Sequence, residues 1–401
     1  MRAAAKGGAS MRHIGTQAFG IRLPIISQGD DLAGIIADAL HKAMQAQSLS
    51  LHPADVVGVT EAILAKSQGN FASIDDVAED IRRKFPSGEV GLVFPICSRN
   101  RFVNILKGIS RGAKKVHVLL QYPHDEVGNP IMNMEDVDRI FDTGKNFFSA
   151  AEFRAVRGKY DHPFTGIDYI ALYESAGDNV DVHLSNDPRR ILQLTKDVLI
   201  GEIHTRELTK RRLIQAGART VFTLSDVLAK PVNDSGYNPD YGILGSNLST
   251  TETLKLFPRD CESFVAHVRD TIAQQCGVAP EVLIYGDGAF KDPQAGIWEL
   301  ADPVVSPGYT DGLMGRPTEI KIKYVAENVF KGMNSEEKTV AVTEMIREKH
   351  KDKSKHIASE GTTPRNYVDL LGSLCDLISG SGDKGTPVVL IQGYFDDYSS
   401  Q

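Results

Sequence analysis

The apolar positions change period several times along the chain, and those changes outline its elements. Leu32, Ile35, Ile36, Ala39, Leu40 and Ala43 recur at helical spacing, with Asp30 or Asp31 placed to cap the first turn. Asp55-Val-Val-Gly-Val-Thr60 follows as a strand, and Glu61 to Gly69 continues from it. From about residue 71 to 235 the pattern becomes repeating strand–helix–strand. Val90 to Phe94 and Val116 to Leu120 are apolar enough for central strands. Phe102, Ile105, Leu106 and Ile109 mark one face of a helix that Gly112 closes. Ile170 to Tyr173, Val180 to Leu184 and Thr220 to Thr223 read as further strands. This alternation predicts parallel β-α-β packing.

After Pro231 the rhythm breaks in a turn-rich stretch, Asn233 to Gly242. A helix carrying Phe264, Val268 and Ile272 is expected between Asp260, its N-cap, and Gly277. Val282 to Tyr285 is a short buried strand, and Glu319 to Val325 alternates as a half-exposed one. Residues 335–356 predict a charged helix whose mixed-sign end, Arg347 to His356, is a solvated face. The last helix, opened by Thr363-Pro364, has Val368, Leu371, Leu374, Cys375 and Ile378 as its apolar stripe. A glycine-rich loop, Ser379 to Pro387, then leads into the strand Val388 to Ile391. The loop runs from helix to strand, opposite to a Walker loop. A plain connector and a nucleotide contact of another geometry both stand.

Composition narrows the class only a little. The chain has 401 residues, 41% hydrophobic and 24% charged, which is ordinary for a globular protein with room for more than one domain. A net charge of −7 gives no general pull toward nucleic acid or an anionic membrane. Cys97, Cys261, Cys276 and Cys375 form no CxxC pair and no cluster of zinc spacing, so reduced thiols in a cytoplasmic protein are expected. No apolar run approaches the ~20 residues of a spanning helix. Residues 1–15 read as a flexible tail.

Candidate chemistry concentrates at strand ends. In Tyr285-Gly-Asp-Gly-Ala-Phe-Lys291, Gly286 and Gly288 force a tight turn around Asp287, with Lys291 on the same loop and Glu299 beside Trp298. A carboxylate at a strand mouth with a lysine close by suits a hard metal ion and a phosphate. The plain alternative is a turn whose acids cap backbone amides. Ser98-Arg99-Asn100-Arg101 and Asp125-Glu126-Val127-Gly128-Asn129 also follow strands, where open α/β sheets bind ligands. Lys66 is a phosphate candidate or a solvated charge.

Several of these stretches, in order, resemble the coenzyme F-420 gamma-glutamyl ligase family, whose members use GTP and divalent metal to join glutamate to a deazaflavin side chain. Gly20-Ile-Arg-Leu-Pro-Ile-Ile-Ser-Gln-Gly-Asp-Asp31 is similar to the family's start, and Val57 to Gly69 to its nucleotide-binding strand and lysine. Gly245-Ser-Asn247 with Leu256-Phe-Pro-Arg-Asp260 is similar to its Ser-Asn and Leu-Pro-Arg-Asp segments, and Asp287, Gly296 and Glu299 to its acidic loop. The resemblance covers roughly 16–70 and 236–395. It departs at Leu244, where the family has a metal-binding Asp, and at Gly288, where it has an oxygen-bearing residue.

The resemblance implies an α+β fold: a ligase-like core from residues 16–70 and 236–401, with 71–235 as an inserted α/β region. It implies a nucleotide contact at Leu23, Pro24, Ile25, Lys66 and Asn247, with GTP or ATP as the nucleotide. It implies Mg²⁺ or Mn²⁺ held by Asp287, Glu299 and, in place of the missing acid, Asp240. Asp287, Lys291 and Glu299 are the expected catalytic groups. Arg99 and Arg101 have the geometry to clamp glutamate carboxylates, with Glu126 and Asn129 near the same substrate. A homodimer acting on glutamate and a coenzyme acceptor is the expected assembly. Folate is the alternative acceptor, and a non-catalytic nucleotide- or metabolite-binding protein the alternative class.

Overall fold

Val56, Val57, Gly58 and Val59 are buried on both faces of a strand, which places that strand inside a sheet covered on both sides. The computed structural model describes residues 14–158, 160–163, 165–286, 289–291, 298–300, 306–317, 320–351, 366–380 and 382–400. In chain order, β1 (Gln17–Ile21), α1 (Leu32–Gln47), β2 (Val56–Thr60), α2 (Glu61–Ser67), β3 (Phe71–Ser73), α3 (Ile74–Lys84) and β4 (Glu89–Val93) come first. Then follow α4 (Val103–Gly112), β5 (Lys115–Leu120), α5 (Val137–Asp142), β6 (Phe148–Ser149), α6 (Ala150–Arg157), α7 (Tyr169–Glu174) and β7 (Val180–Leu184). Next are β8 (Asp197–Ile200), α8 (Arg206–Gln215), β9 (Thr220–Thr223), β10 (Asn247–Thr250), β11 (Thr253–Lys255), α9 (Cys261–Cys276) and β12 (Glu281–Tyr285). The chain closes with β13 (Ala289–Lys291), β14 (Trp298–Leu300), α10 (Ile322–Tyr324), α11 (Ser335–Lys351), α12 (Tyr367–Ser379) and β15 (Val388–Gln392).

The first sheet has the order β1-β15-β2-β12, with β12 parallel to β2 and β15 antiparallel to both β2 and β1. Alternate residues supply its two faces. Val57, Val59, Val282, Ile284, Val388 and Leu390 pack with α1 and α9. Val56, Leu283, Tyr285, Val389 and Ile391 pack with Val368, Leu371 and Cys375 of α12. Gly58 lets α12 lie close, since a Cβ there would stand 2.3 Å from Cys375 Sγ.

Residues 89–223 build a second sheet of order β6-β7-β5-β4-β8-β9, parallel except for β6. Numbered along the chain, its five parallel strands run 3-2-1-4-5, so the order reverses beside β4. Such a reversal opens a crevice at the carboxyl ends of the strands. Helices α3 and α4 cover one face, meeting where a Cβ at Gly112 would stand 2.5 Å from the Ala78 carbonyl oxygen. A small sheet of order β10-β11-β3 joins hairpin 247–255 to the chain just after α2.

Three local expectations differ. Ile170 to Tyr173 is helical, not extended: Asp168 accepts from the Ile170 and Ala171 amides, and Tyr169, Ile170 and Tyr173 bury one helical face. Around 319–325, Ile322–Tyr324 is a helical turn, while Glu319 lies outside the described residues. Asp260 precedes α9 in the left-handed region and makes no side-chain cap bond; its carbonyl accepts from Phe264 N instead. Residues 1–13 and Thr363-Pro364 lie outside the described residues. All four cysteines are free thiols. No helix among the described residues is long and apolar enough to cross a membrane.

Candidate functional site

Strand β2 passes into α2 without a loop, so consecutive residues are sent to two sides of the first sheet's carboxyl end. On one side Thr60, Ala62, Ile63 and Lys66 face the turn Leu23–Ile26 and the loop Ser379–Pro387 across a cleft of about 410 Å³. Backbone bonds hold these walls together: Leu23 N donates to Gly385 O at 3.2 Å and Thr60 N to Pro387 O at 3.0 Å. Thr386 Oγ1 donates to Ser379 O at 3.0 Å, and Gly380 and Gly385 take positive φ, which lets the loop fold back tightly. Ile25 is 87% exposed in this cleft and Lys66 stands exposed at its rim. An apolar wall beside a cation and a bent glycine-rich backbone can take a flat ring and a phosphate chain.

On the other side lies Glu61. The residue is only 3% exposed, and its Oε1 accepts from the Lys255 ammonium. Oε2 is buried with no hydrogen-bond partner among the described residues. The end of β12 passes directly over it, since a Cβ at Gly286 would stand 2.1 Å from Glu61 Cγ. In the register of the hairpin Lys255 faces Asn247, so Asn247 sits one strand away from the same carboxylate. Burial first, then the charges of Glu61, Asp260, Asp240 and Glu262, push the Cys261 thiol up to about 12. Asp240 itself lies on an exposed turn. Asn238 fastens that turn by donating to Phe257 O and Pro258 O and accepting from Asp240 N and Tyr241 N. Arg259 donates to Asn70 Oδ1 at 2.5 Å and lies 4.6 Å over the Tyr237 ring.

The second sheet brings a further polar group to its carboxyl end. Arg99 and Arg101 follow β4, Arg101 buried and Arg99 half-buried. Asp125, after β5, is buried and accepts from Cys97 N, Val127 N, Asn129 N and Asn129 Nδ2. Burial raises its carboxyl above the ordinary range, and these donors oppose the rise. Glu126 accepts from the Ile203 and His204 amides, tying the loop after β5 to the loop after β8. Its carboxyl is raised too, mainly by burial, with the nearby Glu202 adding to the effect. The arginine loop touches the first site's hairpin, because Leu248 N donates to Asn100 O at 3.1 Å.

Leu23, Pro24, Ile25 and Lys66 thus share one cleft, Asn247 lies opposite Lys255, the partner of Glu61, and Asp240 sits on the exposed turn before that hairpin. Arg99, Arg101, Glu126 and Asn129 form a separate group, joined to these through the hairpin. Asp287, Gly288 and Gly296 lie outside the described residues; Lys291 and Glu299 are placed as backbone on the pair β13 and β14, Lys291 opposite Trp298 and Glu299 opposite Phe290. Leu244 is buried among Ile243, Leu254 and Leu256. Sequence reasoning missed Glu61 and Lys255. The available signal was an acid standing directly after an apolar strand run.

A family model described as F420-0:Gamma-glutamyl ligase matches residues 20–393, a span that takes in both larger sheets except for the first residues of β1. No curated protein matches the chain.

Proposed function

The chain belongs to the F420-0:gamma-glutamyl ligase family, and we propose on that premise that it uses a nucleoside triphosphate, GTP or ATP, and a divalent ion of Mg²⁺ or Mn²⁺ type to join the amino group of glutamate to the carboxylate of a coenzyme F-420 precursor. The observation that supports this most is the cleft itself, in which two segments more than 300 residues apart, Leu23–Ile26 and Ser379–Pro387, close around Lys66. In this reading the four-stranded sheet and its helices are the ligase core, and residues 71–235 are an insertion that contributes the arginine loop.

The nucleotide base would lie against Pro24, Ile25 and Ile63, with the phosphates toward Lys66 and the amides of the glycine-rich loop. An oxygen of the acceptor carboxylate attacks the terminal phosphorus, the bond to the β-phosphate oxygen breaks, and the nucleoside diphosphate leaves. The glutamate nitrogen then attacks the acyl carbon, the carbon–oxygen bond to phosphate breaks, and the amine proton leaves with the phosphate. Arg99 and Arg101 would hold the glutamate carboxylates, as forked guanidinium donors favour. Asn247 would orient a phosphate oxygen by hydrogen bonding.

The residues present suit a hard ion. Glu61 offers a buried carboxylate oxygen without a partner among the described residues, while its other oxygen is held by the Lys255 ammonium. We assign to Glu61 the ligand role that Leu244 cannot fill, with Asp240, Asp287 and Glu299 as its companions. When bound, such an ion offsets the charge on the transferring phosphoryl group.

The test is phosphate release from purified protein with nucleotide, glutamate and Mn²⁺, with and without an acceptor. Release that depends on a coenzyme F-420 precursor, with the amide product seen by mass spectrometry, is expected. Release with folate alone moves the acceptor to folate. Nucleotide binding without turnover on any acceptor contradicts ligase activity and leaves a binding protein.

A further inference from the structure

Strands β5 and β7 are neighbours in the second sheet, in a register that sets His117 beside Asp181 and Leu119 beside His183. Their even-numbered residues, Val116, Val118, Leu120, Val180, Val182 and Leu184, face the core built with α3 and α4. His117, Asp181 and His183 therefore share the opposite face. Their ligand-capable atoms all lie within 4.8 Å of one another. We propose that these three residues bind a single divalent transition-metal ion of Zn²⁺ type, at a site separate from the nucleotide cleft.

Both ring nitrogens of His183 and Nδ1 of His117 are buried and have no hydrogen-bond partner among the described residues. Native structures rarely leave buried imidazole nitrogens unsatisfied without a reason, and a metal ion satisfies one on each ring. Two imidazoles and one carboxylate form a donor set that Zn²⁺ accepts with a fourth position left for water. Donor atoms around a tetrahedral ion at about 2.0–2.1 Å stand roughly 3.4 Å apart, so small side-chain rotations close the set. The His183 ring is held in orientation by Phe147, stacked at 5.5 Å and 12°. Burial also holds both imidazoles below their ordinary protonation range, which keeps a lone pair available at neutral pH. One group opposes binding: Lys115 Nζ lies 2.6 Å from Asp181 Oδ2. That contact gives the site a distinctive property, because removing the lysine should strengthen metal binding.

The test is calorimetric titration of chelator-treated full-length protein with Zn²⁺ in excess Mg²⁺, which leaves all-oxygen sites to the hard ion. Co²⁺ absorption then reports the ligand types. One equivalent is expected in the wild type, with a tetrahedral Co²⁺ spectrum free of thiolate charge transfer. H117Q and H183Q should each weaken binding by more than the roughly 10–100-fold that losing an outer partner costs. K115M should tighten it, and Asp181→Asn, an exposed change, should weaken it even if the histidine variants fold poorly. No Zn²⁺ uptake by the wild type overturns the proposal. So do unchanged affinity in both K115M and D181N, and a thiolate spectrum that moves the ion to Cys276 and His41.

Discussion

Lys255 donates a hydrogen bond to the buried carboxylate of Glu61 from 194 residues further along the chain. That contact fixes the hairpin β10–β11 against the start of α2, and with it the position of Asn247. The second carboxylate oxygen is buried without a partner among the described residues, and the end of β12 at Gly286 packs on the same side chain. A buried ion pair is weak evidence of stabilisation in itself, because desolvation offsets much of the attraction. A carboxylate kept half-satisfied at a strand end is better explained by a ligand.

Replacing Glu61 with Gln keeps the side-chain shape and an acceptor for Lys255 but removes the charge. If Glu61 holds the divalent ion, ligase kcat falls by about 100-fold or more, equivalent to roughly 3 kcal/mol of transition-state stabilisation. Raised Mn²⁺ recovers part of that loss. A folded E61Q protein with wild-type kcat, checked by circular dichroism, removes Glu61 from the metal site.

Lys66 is exposed at the rim of the cleft, so Lys66→Ala should change stability by no more than about 0.5 kcal/mol. Its effect should appear as a rise of roughly tenfold in nucleotide KM, the loss of one charge-assisted contact of about 1.4 kcal/mol. Steady-state kinetics at saturating glutamate give the result directly. An unchanged KM returns Lys66 to the role of a solvated charge.

Gly58 is a packing position. Gly58→Ala places a methyl 2.3 Å from Cys375 Sγ, and overpacking of this kind costs about 1–3 kcal/mol. Urea unfolding should show that loss, and Cys375→Ala in the same background should recover part of it. Equal stability of G58A and wild type would show that α12 does not pack this closely on β2.

The two half-buried histidines impose a pH dependence. His117 faces Asp181, Lys115 and Glu89, and His183 faces His117, Asp181, Lys115 and Glu152. Burial is the largest influence on both and lowers their protonation below the ordinary value of 6.5. The unfolded chain therefore takes up protons first as pH falls, so this part of stability is present above that value and is lost below it. In the presence of chelator, the urea midpoint of the wild type should drop more between about pH 7.5 and 5 than that of the H117Q/H183Q double variant. Parallel pH profiles contradict this.

Much of the sheet structure was legible because buried parallel strands leave continuous apolar runs, as in Val56 to Val59 and Val90 to Val93. Ile170 to Tyr173 misled for the same reason: a four-residue apolar run carries no period, and the deciding signal was the cap at Asp168. That Leu23, Pro24, Ile25 and Lys66 belong together was legible by resemblance, but their sharing a cleft with Ser379–Pro387 needed β15 to pair between β1 and β2. Glu61 and the histidine cluster were not legible. Each depends on strand neighbours and register, Lys255 reaching α2 and His117 meeting Asp181, which local sequence does not specify.

The most direct measurement follows oxygen rather than rate. An acceptor whose carboxylate carries heavy oxygen is incubated with protein, nucleotide, glutamate and Mn²⁺, and the released phosphate is analysed by mass spectrometry. Ligation through an acyl phosphate predicts one heavy oxygen in the phosphate for each amide formed. Amide formation with unlabelled phosphate, or label-free phosphate released without amide, would contradict it.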